Sequence, residues 1–256
     1  MSAAGGPKII TEGLTLCVDA ADPKSYSGSG TTWADRSGNN YDVILSGATF
    51  GSSRKGKFDF DGDDYGYIKT VNYGGGNTIS ELTVLVWART SEAGSNSSDG
   101  SFVNSQWAFI DFDRSEVFNF FIEPGGQLKF AGESSNAGGF TSQYDLGSGT
   151  TTLFNDGEWH NLAVTFSVAN QEIKFYGDGV LLATKTANGN MTALGSAGET
   201  RYGIISDGSE ASTENGDRNY VYFTGDMALL HFYDSKCLSS AEILQNFNAA
   251  RSRFGV

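Results

Sequence analysis

Almost every apolar segment of this chain is short, alternates with polar residues, and stops at a turn carrying glycine. Period-two alternation sends successive side chains to opposite faces of a strand, so the pattern predicts many short strands and few helices. EIKFYGDGVLLAT (172–184) is the clearest case, because Asp178-Gly179 suits a two-residue hairpin turn that needs positive φ. KFDFDGDDYGYIK (57–69) reads the same way, as two strands folded about Asp61-Gly62. In ELTVLVWAR (81–89), Leu82, Val84, Val86 and Ala88 share one face while Leu85 and Trp87 lie on the other. A strand apolar on both faces belongs at the centre of a layered structure. EPGGQ (123–127) supplies another turn between strand-like runs.

One segment departs from this pattern. SSAEILQNFNAARSRFG (239–255) repeats Ile243, Phe247, Ala250 and Phe254 at helical intervals. Ser239 and Glu242 have capping-box spacing, and Gly255 stands where a left-handed C-cap belongs. The expectation is therefore an all-β, two-sheet sandwich over residues 13–256 with one C-terminal amphipathic helix. Residues 1–12 are expected to form an N-terminal arm outside it, with Ile9 and Ile10 free to lie along a neighbouring protein.

Composition narrows the function. A net charge of −13 excludes the basic footprint that nucleic-acid binding needs, and it disfavours an anionic membrane surface. No apolar run approaches the ~18 residues of a membrane-spanning helix, and the start MSAAGGPKIITEGL lacks the features of a signal peptide. The protein is thus expected to be made in a cytoplasm and to leave by a route other than ordinary secretion. Cys17 and Cys237 are the only cysteines, too few for a disulfide framework or a zinc site, and are expected to be free thiols. No GxSxG elbow, phosphate loop or dinucleotide fingerprint is present.

Three constellations remain. SYSGSGTTWADRSGNNYD (25–42) sets Trp33 among loop-forming residues, where it either anchors the loop to the core or is displayed for a ligand. Trp33, Tyr65, Tyr73, Trp107 and Tyr144 are the loop-proximal aromatics available as platforms for a sugar. Hard oxygen donors of the kind calcium takes gather at Asp35, Ser37, Asn39, Asn40 and Asp42, and again at Asp61, Asp63 and Asp64. Each set reads equally as a turn whose side chains satisfy their own backbone. DFDRSE (111–116) places Asp111, Asp113 and Glu116 on or near one strand, with Asp111 and Asp113 expected to share a face with Trp107 and Phe109. His160 and His231, the only histidines, sit in strand-like runs beside large neighbours.

GLTLCVDAADPKSYSGSGTTWADRSGNN, FDFDGDDYGYI, LTVLVWAR, DGEWHNLAVTFS, IKFYGDGVLLAT and FTGDMALLHFYDSKCLSSAEILQNFNAARSRFG follow one another in a familiar order. Together they resemble a laminin-G-like domain of the concanavalin A-like lectin/glucanase superfamily, a jelly-roll fold, over residues 13–256. The short PKIITEGL lead-in and the LSSAEILQNFNAARSRFG ending are similar to those of structural proteins of tailed phages, notably phages of aquatic bacteria. This resemblance implies a non-enzymatic virion component, a head-decoration or fibre protein. It would be oligomeric on the particle, partnered by other virion proteins, and would engage a host-surface glycan. A soluble carbohydrate-binding module and a glycoside hydrolase are the alternatives. Superfamily glucanases carry Glu-x-Asp-x-x-Glu or Glu-x-Asp-x-Glu, whereas the nearest match here begins with Asp111 in place of the nucleophilic Glu. A retaining glycosidase needs its carboxyls about 5–5.5 Å apart, so the lost methylene counts against hydrolysis.

Overall fold

The computed structural model describes residues 7–53, 56–71, 78–91, 107–112, 117–123, 125–132, 144–145, 152–186, 191–195, 201–206 and 222–256. Strands β1 (Leu14–Asp19), β2 (Thr32–Trp33), β3 (Val43–Ser46), β4 (Thr49–Gly51), β5 (Lys57–Asp61) and β6 (Tyr65–Val71) open the chain. They are followed by β7 (Glu81–Arg89), β8 (Trp107–Asp111), β9 (Phe118–Ile122), β10 (Leu128–Gly132), β11 (Tyr144–Asp145) and β12 (His160–Ser167). The last elements are β13 (Glu172–Gly177), β14 (Val180–Thr186), β15 (Arg201–Ile205), β16 (Thr224–Tyr233) and helix α1 (Ser240–Phe254).

Two antiparallel sheets face each other. The first runs β14-β13-β12-β7-β16-β5-β4, and the second β11-β10-β9-β8-β15-β6-β3-β2. Along one side of β16, residues 224–227 pair with β5 and residues 229–233 with β1, while β7 covers the other side. Phe232 from β16 meets Phe118 from β9 at 5.5 Å, and Phe166 from β12 meets Phe130 from β10 at 6.0 Å, so aromatic pairs join the sheets. As expected, β7 is central: Leu82, Val84 and Val86 enter this core, and Leu85 and Trp87 join a second apolar cluster on the outer face.

Helix α1 closes that outer face. Ser239 and Glu242 make the reciprocal capping box, and Gly255 caps the end with φ of 82°. Trp87 stacks on Phe254 at 4.1 Å and on Phe247 at 5.6 Å, and Ile243 is fully buried beside them. At the β13–β14 hairpin, Asp178 and Gly179 have φ of 51° and 77°, the pair of positive values the sequence called for.

Two expectations are corrected. KFDFDGDDYGYIK is no hairpin, because β5 pairs in the first sheet and β6 in the second. The Asp61–Asp64 turn is a corner between sheets, held by Asp64 Oδ2 accepting from the Asp61 N–H at 3.0 Å. Gly47 lies so close that a Cβ there would sit 1.7 Å from Asp64 Oδ1. Of the expected arm, residues 1–6 lie outside the described residues, and residues 8–10 are tied to the domain. The Ile10 N–H donates to Asn246 Oδ1 at 2.8 Å, Tyr233 Oη donates to the Ile10 carbonyl at 2.7 Å, and Gln245 Nε2 donates to the Lys8 carbonyl at 2.6 Å. Ile10 packs on the helix-side cluster, so these residues dock on the domain.

Candidate functional site

The outer face of the second sheet carries the candidate site. Gly66 and Ile68 point inward, since a Cβ on Gly66 would strike Val43 and Leu45 of the core and Ile68 is itself core. Alternation therefore places Tyr65 and Tyr67 outward. The two rings meet edge to face at 5.0 Å, and Tyr222 lies nearly parallel to Tyr65 at 6.4 Å. All three are half-buried. Further across the sheet the same face is buried: Tyr67 pairs with Ile44 and Ile204, Ile204 with Asp111, and Asp111 with Asn119, and of these Ile204, Asp111 and Asn119 are all buried. Clustered tyrosine rings are the kind of surface against which the C–H face of a sugar stacks.

At the corner before Tyr65 stand Asp61, Asp63 and Asp64, with carboxylate oxygens within 4.8 Å of one another. A hydrogen bond with Asp61, and the Asp61 charge, raise the Asp63 pKa. Burial raises that of Asp64, against the hydrogen bond from the Asp61 N–H. A cation there would relieve this crowding of like charges.

The other acidic loop is a self-satisfied turn. Asp35 Oδ1 accepts from the backbone N–H groups of Cys17 (2.9 Å) and Ser37 (2.8 Å). Its Oδ2 accepts from Ser37 Oγ (2.6 Å) and the Tyr41 N–H (3.2 Å). Asp42 Oδ1 accepts from the Asp35 N–H at 2.9 Å, and Asn40 takes a left-handed φ of 61°. Because protein donors already fill the Asp35 oxygens, the expected calcium set Asp35, Ser37, Asn40 and Asp42 gives way to a turn that staples the loop to β1.

Trp33 is likewise corrected as a sugar platform. It is 0% exposed, pairs with Val43 and packs on Phe58 at 4.8 Å, so no ligand can stack on it. It anchors the loop by filling the space between the sheets at their margin. Trp107 and Tyr144 occupy strand positions opposite Ile122 and Phe130, but their side chains lie outside the described residues, as does Tyr73.

Of the acids in the glucanase-like cluster, Asp111 alone lies among the described residues. A bulge between Ala108 and Ile110 turns Phe109 into the core, against Phe120 and Phe223 at 5.4 Å each, so it does not share the face of Asp111. Asp111 is fully buried and accepts from Asn119 Nδ2 at 3.2 Å. Asp113 and Glu116 lie outside the described residues.

Both histidines do structural work. His160 Nδ1 pairs with Asp178 Oδ2 at 2.8 Å, and its Nε2 with Asp156 Oδ1 at 3.1 Å. Burial alone would lower its pKa, but the hydrogen bonds and charges of Asp178 and Asp156 raise it above 6.5. The pairing therefore stabilises the fold fully below pH 6.5 and is lost as pH rises through the higher folded value. A His160→Gln variant should trail the wild-type melting temperature by more at about pH 5.5 than at about pH 8.5. Equal gaps at both pH values would contradict the ion pairing. Burial pushes His231 down to about 4, so its contribution runs the other way, present above 6.5 and lost as the solution is acidified. Both cysteines are free, and burial, with the Asp35 charge, pushes the Cys17 thiol up to about 12.

Two antiparallel sheets in a sandwich, with one C-terminal helix on an outer face, make a lectin-like jelly-roll fold. A profile of the concanavalin A-like lectin/glucanases superfamily matches residues 60–244, more than half of the chain, and the protein belongs to this family. No curated protein matches the chain in sequence. Its structure is similar to the binding domain of Paraclostridial Mosquitocidal Protein 1 (TM-score 0.65, 13% identity, covering 93% of this chain and 52% of that one). It is similar to the botulinum neurotoxin serotype D ligand binding domain in complex with N-acetylneuraminic acid (0.63, 14%, 93% and 51%). It also resembles domain 4 of AbnA, an extracellular arabinanase of Geobacillus stearothermophilus, in complex with arabinotriose (0.59, 14%, 92% and 98%). The chain thus spans about half the length of the toxin domains and nearly all of the arabinanase domain. At these identities the likeness is one of fold.

Of the aromatic positions expected from sequence, Tyr65 lies at the candidate site, beside Tyr67 and Tyr222, which sequence reasoning missed. Tyr67 was legible in principle, since a residue two beyond Tyr65 shares its strand face. Tyr222 carries no such signal, because it comes from a segment joined only by tertiary packing.

Proposed function

We propose that this chain is a non-catalytic, glycan-binding sandwich carried on the particle of a tailed phage, as head decoration or part of a fibre. The Tyr65–Tyr67–Tyr222 cluster on an outer sheet face supports the glycan reading most directly. The complexes of similar folds with N-acetylneuraminic acid and arabinotriose lend it further support. On a glycan array the wild-type chain should give discrete positive signals. Tyr65→Ala should weaken them about tenfold, the loss expected when an aromatic anchor is truncated. A bare array contradicts the reading.

The virion reading rests on the phage-like lead-in and ending of the sequence. Such a protein is made in the host cytoplasm, leaves with the lysing cell and repeats on the particle against other virion proteins. Antibody to this chain should label purified particles at a fixed copy number, and unlabelled particles would refute this part.

The same reading includes a structural calcium at Asp61, Asp63 and Asp64, hard oxygen donors whose mutual repulsion a divalent cation would neutralise. A ligand that binds only the folded state at a hundredfold excess over Kd adds about 2.7 kcal/mol. Chelation should therefore lower the melting temperature and calcium restore it, with no such response in Asp63→Ala. A melting curve indifferent to chelator removes the metal.

A further inference from the structure

Helix α1 covers only part of the outer face of the first sheet. Beyond its C-terminal end a row of side chains runs across the strands, Thr49 opposite Asp59, Asp59 opposite Asp226, and Asp226 opposite Arg89. Together with Thr90, Ser91, Gly157, Thr224 and Gly225, Asp59, Arg89 and Asp226 line an open cleft of about 410 Å³. That volume lies in the range of small-ligand sites, about 300–1,000 Å³.

Charge decides what the cleft suits. Asp226 is nearly buried, and its oxygens are committed to Lys57 and to Arg89, which reaches Oδ2 through both Nε (2.8 Å) and Nη2. Lys57 also lies 3.5 Å from Asp59. Two cations and two carboxylates thus balance, so the cleft has no net charge to favour an anion or a cation. What stays available is polar. The Asp59 carboxylate is 53% exposed, and the Arg89 side chain is 38% exposed with its Nη1 edge unclaimed among the described residues. Arg89 is also held from behind by the Trp159 ring, 5.5 Å from the guanidinium, which fixes the direction of its remaining donors. A carboxylate that accepts, a rigid guanidinium that donates, and the neighbouring Ser91 and Thr224 hydroxyls suit adjacent hydroxyl groups, each both donor and acceptor.

We propose that this cleft is a second saccharide subsite, separate from the tyrosine face, that takes a neutral pyranose through Asp59 and Arg89. It rests on the glycan-binding reading and extends it to the opposite side of the sandwich. The test is a titration of the full chain with methyl galactoside, methyl mannoside and methyl arabinoside, followed through backbone amide resonances. One of these should move the Gly157 and Gly225 amides saturably. Asp59→Ala should weaken that response about tenfold or more, as loss of a charge-assisted hydrogen bond does, with the melting temperature near wild type. Tyr65→Ala should leave it intact. Shifts confined to the Tyr65–Tyr67 segment overturn the cleft while glycan binding stands. No shift with any of the three, alongside a bare glycan array, overturns both.

Discussion

Trp33→Ala is expected to destabilise the domain by about 3–5 kcal/mol, the usual cost of emptying an aromatic site in a core. Trp33 is fully buried among Val43 and Phe58, at a margin where only the two-residue strand β2 closes the second sheet. Its indole Nε1 has no hydrogen-bond partner among the described residues, so its ring is held there chiefly by packing. The loop it ends is pinned nearby by Tyr26, which lies 4.8 Å from Phe58 and donates to the Gly30 carbonyl at 2.9 Å. Losing the indole therefore opens a cavity and unfastens the loop together. Trp33→Phe should recover most of the loss, because it restores ring volume without stranding an N–H. Denaturant unfolding checks both variants; a midpoint for Trp33→Ala close to wild type would show that the loop anchors itself.

Removing residues 239–256 should be still more damaging. Helix α1 buries Ile243, Phe247 and Phe254, each worth about 1.5–3 kcal/mol, which together approach the ~5–15 kcal/mol by which a domain is stable. The deletion also uncovers Trp87, Trp159, Leu229 and Tyr233, a contiguous apolar patch on the first sheet. The truncated chain is expected to be insoluble. Phe254→Ala, which removes the ring stacked on Trp87 at 4.1 Å and against Trp159 at 4.8 Å, should fold with a clearly lower melting temperature. A soluble truncation with an unchanged melting temperature would mean the sheet needs no cover.

What could be read from sequence follows from how locally each feature is determined. The capping box, the Asp178-Gly179 turn and the central strand β7 depend on residues within a few positions of each other, and all three are present. Asp61-Gly62 carries the same turn chemistry as Asp178-Gly179, yet leads into a different sheet, because strand partners are chosen by tertiary packing. The docking of residues 8–12 depends on Asn246 and Tyr233, more than two hundred residues away. At Asp111, alternation failed for a physical reason: one bulge at Phe109 reverses which side chains share a face. The site was half legible for the same reason, with Tyr65 and Tyr67 linked by strand period and Tyr222 joined to them only in the folded chain.

Binding without turnover is the property on which this account stands. Calorimetric titration of the wild-type chain with the strongest array glycan, followed by reducing-end and mass analysis of the same sample, measures both at once. The account predicts saturable heat, weakened about tenfold in Tyr65→Ala, and a glycan recovered intact. New reducing ends that disappear in Asp111→Asn, or an absence of binding heat, would contradict it.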